Sequence, residues 1–160
     1  MKSTLSFTQL FFKKRLLIAL VLSALILLLQ NCKKNGPTPT EDLYQQYFEQ
    51  NILNSDFVVS LADDNGTVIT SQYNGWVFKL FKSTYYDGPM TAIKNGVTYN
   101  GTWACNADYG KLTISLTQPA VAAELVFINR SWRFTKKELP VMEFAPWGSN
   151  APTRLHMRRL

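Results

Sequence analysis

The spacing of apolar residues changes twice along the chain, and each of the three resulting patterns predicts a different element. Leu16 to Leu29 is apolar throughout except for Ser23; it follows Lys13, Lys14 and Arg15 and stops at Gln30-Asn31-Cys32. From Leu43 the spacing becomes three to four. Leu43, Tyr44, Tyr47, Phe48 and Ile52 share one stripe, while Gln45, Gln46, Glu49 and Gln50 fill the other side. This predicts one amphipathic helix over 41–53, capped by Thr40, with Glu41 and Asp42 in the first turn where the backbone dipole favours negative charge. From Asp56 onward the spacing is two. Phe57, Val59 and Leu61 alternate with Val58, Ser60 and Ala62, and Trp76, Phe78 and Leu80 alternate with Val77, Lys79 and Phe81. Similar runs follow over 97–103, 112–116, 125–134, 141–144 and 155–157. Turn-forming residues separate them: Asp64-Asn65-Gly66, Asn74-Gly75, Asp87-Gly88-Pro89, Asn95-Gly96, Asp108-Tyr109-Gly110 and Gln118-Pro119.

Eight or nine short strands joined by turn-length gaps predict consecutive antiparallel pairing. An open sheet of that size would leave its edges bare, so the expected fold is all-β: an up-and-down antiparallel barrel of eight to nine strands, preceded by one helix. A two-sheet sandwich is the alternative, although its crossovers need longer connections than most of these gaps supply.

The first apolar run spans about 20 Å as a helix, short of the about 30 Å hydrocarbon core of a bilayer. A basic start, an apolar centre and a terminal cysteine describe a secretory signal that is removed. The segment resembles a bacterial lipoprotein signal, with Leu29-Gln30-Asn31-Cys32 as the processing box. That resemblance implies lipidation of Cys32 and attachment to a membrane through acyl chains such as palmitate. The expected organisation is a signal peptide over 1–31, a lipidated cysteine and Pro-containing tether over 32–40, and the folded domain over 41–160. Lys33 is not the aspartate that retains such proteins in the inner membrane, which implies the outer membrane. No acidic cluster follows Cys32, which favours the periplasmic face over the cell surface.

Charge takes on a different meaning once the signal is set apart. The whole chain carries 17 Lys and Arg against 11 Asp and Glu, but four of the cations precede Cys32, leaving 13 against 11, a net +2. Only Lys136-Lys137 and Arg158-Arg159 pair up within the domain, so no basic face for nucleic acid is expected. With Cys32 acylated, Cys105 lacks a disulfide partner and reads as a small buried hydrophobe.

The arrangement also resembles the lipocalin-like lipoproteins of the Bacteroidetes. The residues that carry this are Gly75-Trp76-Val77-Phe78 early in the sheet, Trp103 in the middle, and the closing series Trp132-Arg133-Phe134, Val141-Met142-Glu143-Phe144 and Leu155-His156-Met157-Arg158-Arg159. The resemblance implies a C-terminal Arg laid across the early Trp, which makes Arg159 over Trp76 the candidate cation–π closure of the barrel base.

Catalytic chemistry finds little material. The single histidine, His156, has the parity of the polar face, and no nucleophile elbow, His-Glu-x-x-His helix or Ser-x-x-Lys pair occurs. Cys105 and His156 have no orienting third group. Asp63-Asp64-Asn65-Gly66 lacks the closing Glu of a calcium loop and reads as a hairpin turn; one His and one free Cys do not form a zinc set. Neither a metal, a cofactor nor an enzymatic activity is expected. Aromatic residues make up 13% of the chain and have two uses in a small barrel. They pack a solid core, or Trp76, Phe78, Tyr99, Trp103 and Phe127 line a cavity for a small hydrophobic ligand. Two functions remain open: a membrane-anchored binding barrel for an apolar molecule, or a solid barrel that docks on another envelope protein through the Trp147 loop or an edge strand.

Overall fold

The computed structural model of the chain describes residues 39–160, so the expected signal, Cys32 and the tether up to residue 38 lie outside the described residues, while Pro39 and Thr40, expected in the tether, with Thr40 as the helix cap, belong to the helix. Helix α1 (Pro39–Asn51) begins two residues before the expected helix. Nine strands follow: β1 (Asp56–Asp64), β2 (Thr67–Val68), β3 (Val77–Leu80), β4 (Asp87–Lys94), β5 (Val97–Cys105), β6 (Lys111–Gln118), β7 (Ser131–Lys136), β8 (Val141–Pro146) and β9 (Arg154–Arg159). All pairings are antiparallel. Sequence neighbours pair from β3 to β9, β1 pairs with β3, and β9 returns to β1 from Phe57↔Arg159 to Asp63↔Arg154. Eight strands therefore close a barrel, and the two-residue β2 is an added hairpin on the end of β1.

Antiparallel order sorts the connections between two ends. The first holds the starts of β1, β4, β6 and β8 and is covered by α1: Phe48 packs on Trp103 of β5 and on Tyr109 of the β5–β6 connection, with ring centroids 5.2 and 4.8 Å apart. There Gln45 Nε2 donates to the Tyr86 hydroxyl at 2.7 Å, and the Tyr47 hydroxyl donates to the Lys137 carbonyl at 2.9 Å. At the second end, the 3-10 turn Thr70–Tyr73 and the segment around Ala123–Leu125 cover the mouth, joined by the Tyr73 hydroxyl donating to the Glu124 carbonyl at 2.6 Å. These are the helix end and the loop end.

The core runs the full length between them. Phe57, Phe78, Met90, Leu116, Trp132 and Leu155 are fully buried, with Phe48, Ile52 and Leu53 sealing from α1 and Leu125, Phe127 and Ile128 from the loop end. Removing such side chains from water contributes about 1.5–3 kcal/mol each. Two buried indoles also donate hydrogen bonds: Trp103 Nε1 to the Phe81 carbonyl at 2.6 Å and Trp132 Nε1 to the Ile128 carbonyl at 3.0 Å.

Three local expectations need correction. The alternation of β1 does not persist: a bulge between Val59 and Leu61 leaves Ser60 exposed and turns Ala62 inward, so Leu61 is not a core position, and Asp63 is buried beside Arg154 of β9. Asp87-Gly88-Pro89 is not a break but the start of β4, where Gly88 lies so close to the Phe81 carbonyl that a Cβ would collide with it. The run at 125–128 is not a strand; it folds as a 3-10 turn whose apolar side chains plug the barrel.

That plug leaves the second half of β6 without a strand on its β7 side, because β6 and β7 pair only from Lys111↔Arg133 to Thr113↔Ser131. The Asn129 side chain fills the vacancy. Its Oδ1 accepts from the Leu116 N–H at 2.8 Å and its Nδ2 donates to the Leu116 carbonyl at 2.9 Å, the same pair of bonds a neighbouring strand would make. Asn129→Ala will leave both Leu116 groups unpartnered and lower stability by about 1–3 kcal/mol. In urea unfolding the midpoint will fall with the slope unchanged; an unshifted midpoint would show that water replaces the amide at no cost.

Candidate functional site

The five aromatic residues expected to line a cavity do not share one space. Trp76, Phe78 and Tyr99 cluster near the loop end, with Trp76 centroids 6.1 Å from Phe78 and 5.2 Å from Tyr99. Phe127 packs between Tyr73 and Trp132, at 6.2 and 5.4 Å. Trp103 lies under α1 at the opposite end. Exposure is 1% for Trp76, 0% for Phe78, 1% for Trp103 and 6% for Phe127, so these four belong to the core, while Tyr99 is half-buried against it.

Trp76 and Arg159 are not brought together. The family resemblance suggested the pair, with Arg159 chosen for the parity it shares with Leu155 and Met157, but register sets Arg159 opposite Phe57 at the helix end, where its N–H donates to the Pro140 carbonyl at 2.8 Å. The cation over Trp76 is Lys94, whose Nζ lies 5.3 Å from the ring and 3.4 Å from Glu124 Oε1. Lys94 thereby ties the β4–β5 hairpin to the plug. The Trp76 indole N–H itself has no partner, the one such buried side-chain atom among the described residues.

Cys105 and His156 stand on β5 and β9, four strands apart in the barrel order. His156 Nε2 lies 3.9 Å from Glu143 Oε2 on the neighbouring strand. Burial pushes the Cys105 thiol up to about 12, with Lys137 opposing and Asp108 reinforcing the shift. Burial likewise raises the Tyr73 and Tyr109 phenols, whose hydroxyls are tied to backbone carbonyls. No group of three His, Cys, Asp or Glu side chains among the described residues could hold a metal ion.

The sequence motif Asp63-Asp64-Asn65-Gly66 has a structural role. Asp63 Oδ2 accepts from Arg154 Nη2 at 2.7 Å and its Oδ1 accepts from the Gly66 N–H at 2.7 Å, while the Thr153 hydroxyl accepts from the Asn65 N–H at 3.3 Å. Together these pin the β1–β2 hairpin to β9. The Arg154 hydrogen bond holds the Asp63 carboxyl below its usual range; burial opposes this, and the Gly66 N–H adds to it.

A concavity lies outside the barrel wall. It is a groove of about 720 Å³ between α1 and the β7–β8 hairpin, lined by Leu43, Tyr44, Tyr47, Phe134, Lys137 and Glu138 among others. Lys137 Nζ sits 4.4 Å over the Tyr44 ring and donates to the Asp108 carbonyl at 3.1 Å. Burial lowers the Lys137 ammonium, with the charges of Asp108 and Cys105 opposing. Beneath the groove the seam between α1 and the core holds only about 10 Å³, no more than one water. Sequence reading missed this groove because its walls are nearly ninety residues apart; the pairing of Lys136 and Lys137 was the only local signal.

Comparison with protein-family models, curated proteins and solved structures gives no match to this chain. What the fold defines is a class: a closed, eight-stranded meander barrel with an added hairpin strand and a helix across one mouth.

Two measurements check the chemistry assigned here. A thiol reagent at pH 8 will label Cys105 slowly in the folded protein and fully in denaturant; rapid native labelling would contradict its burial. Because the Asp63 carboxyl is depressed on folding, its contribution is complete above the unfolded value near 3.9 and declines as pH falls through the lower folded value. Asp63→Asn will therefore lower Tm at pH 6–7, and the gap from the parent will shrink in acid below about pH 4. A gap independent of pH would assign the loss to packing.

Proposed function

We propose that the protein is a lipid-anchored cell-envelope module whose barrel is solid and acts through its surface, docking on another envelope protein. The observation that supports this reading most is the filled interior. A carrier of an apolar molecule needs a pocket of about 300 Å³ or more, whereas the aromatic residues that would line one are packed against each other as core. The anchor rests on the sequence around Cys32, which lies outside the described residues.

The loop end is the surface best suited to a protein partner. Six of the ten large apolar side chains exposed among the described residues sit on its connections or on the strand ends beside them: Val68, Ile93, Val97, Val121, Val126 and Trp147. Closure of β1 on β9 leaves edge-strand addition little room, since pairing spans Phe57 to Asp63. Trp147 is the natural anchor there, a large amphipathic ring of the kind that concentrates binding energy at interfaces.

Two experiments test the reading. Labelled palmitate will enter the full chain and not its Cys32→Ser variant; labelling unaffected by that change would overturn the anchor. Native mass spectrometry of residues 33–160 will show the bare polypeptide mass, whereas a stoichiometric co-purifying apolar molecule would restore the carrier function. The fragment is suitable because Pro37–Leu160 forms a compact unit with its own core.

A further inference from the structure

Under the proposed lipid anchor, seven residue steps separate Cys32 from the first residue of α1 at Pro39. Fully extended, they reach about 25 Å, less than the length of two strands, so the end of the domain bearing the start of α1 stays close to the bilayer. The loop end, on the far side of the core, is held away from it.

The surface at that start carries the side chains an interface favours. Leu43 and Tyr44 lie in the first turns of α1 and are 66% and 40% exposed, whereas Phe48 further along the helix is buried in the core. Tyr44 presents an apolar body and a polar tip, the property that concentrates tyrosines at the headgroup level of membranes. The helix sequence has no Lys or Arg over 39–51, the usual mark against a membrane-surface helix. The fold supplies the cations from elsewhere: the β7–β8 hairpin brings Lys137 over the Tyr44 ring and Lys136 to the same groove. Lys137 has no carboxylate within ion-pair distance among the described residues, whereas Lys136 lies 4.0 Å from Glu143. Glu138 and Glu143 line the groove as well, so apolar contact outweighs charge on this face.

We propose that the face formed by Leu43, Tyr44, Lys136 and Lys137 seats on the lipid surface that carries the anchor, fixing the barrel with its helix end down and its loop end outward. This rests on the anchor reading above. The seating is a contact of the first turns of α1 and the hairpin only, because the rest of the helix stripe is committed to the barrel core.

The test separates orientation from lipidation. Residues 33–160, preceded by a hexahistidine segment, are held on vesicles of phosphatidylethanolamine and phosphatidylglycerol containing a nickel-chelating lipid, which replaces the acyl anchor. An environment-sensitive fluorophore is placed at Leu43→Cys, or at Val126→Cys on the loop end, each with Cys105→Ala because that residue is only half-buried. The probe at 43 will shift to the blue and be quenched by lipids brominated near the headgroup, and the probe at 126 will do neither. Adding Tyr44→Asp will lower the ratio of seated to unseated protein about tenfold, the factor set by burying one large apolar side chain, with thermal unfolding confirming an intact fold. A water-like probe at 43, or equal signals at 43 and 126, would overturn the orientation while palmitate labelling of Cys32 stood. Absence of that labelling would overturn the anchor, and this inference with it.

Discussion

Closing eight strands on themselves encloses a space that side chains can fill, and the rest of this structure follows from how it is filled. The β1–β9 ladder makes the closure, and Phe57, at its first register position, is fully buried opposite Arg159. A closed barrel has two mouths, and a core exposed at either would waste the burial within. One is covered by α1 through Phe48, Ile52 and Leu53, the other by Leu125, Phe127 and Ile128. Each cover is fixed by directional bonds as well as by packing: Gln45 and Tyr47 at the helix end, Tyr73 and Lys94 at the loop end. Ligand space gives way to this double sealing. A groove of about 720 Å³ lies where a cover meets the outside of the wall.

Most of the architecture was legible because a meander is local. Period-two runs and turn-formers mark each strand, and in an up-and-down order neighbours in sequence are neighbours in space, so little long-range information is needed. The misreadings occur where local pattern and tertiary need diverge. At Ser60 a bulge inverts the parity of β1, bringing Ala62 inward beside Leu155 and setting Asp63 on the outer face against Arg154, ninety-one residues away. Leu125 to Ile128 has the apolar content of a strand, but its side chains are needed across a mouth, and Asn129 takes over the hydrogen bonds the missing strand would have made. Arg159 has the right parity for Trp76 and the wrong end of the barrel. Parity fixes a face, whereas only register fixes a height.

The candidate site was less legible for the same reason. No single segment of the groove looks like a site: α1 contributes aromatic and aliphatic side chains without cations, and the β7–β8 hairpin contributes lysines beside glutamates. Their combination depends on the helix crossing the mouth so that Tyr47 bonds the Lys137 backbone and Tyr44 lies under the Lys137 ammonium. The contact thus follows from how the mouth is sealed. Changing the helix stripe that packs on Trp103 and Tyr109 would move the groove along with the core.

A tether changes how strong such a face has to be. A domain free in solution needs a wide basic patch or a deep apolar insertion to stay on a membrane, and this one has neither. On the proposed anchor, the few residues after Cys32 would bring the same face to the lipid at an effective concentration in the millimolar range, so that even a weak contact would be occupied much of the time. One exposed leucine, one tyrosine and two lysines are then sufficient to set an orientation, and a stronger face would add little. The near-neutral sequence after Cys32 fits this proposed division: attachment is assigned to acyl chains, orientation to a few residues at the start of α1 and on the β7–β8 hairpin, and the apolar side chains of the loop end to a partner.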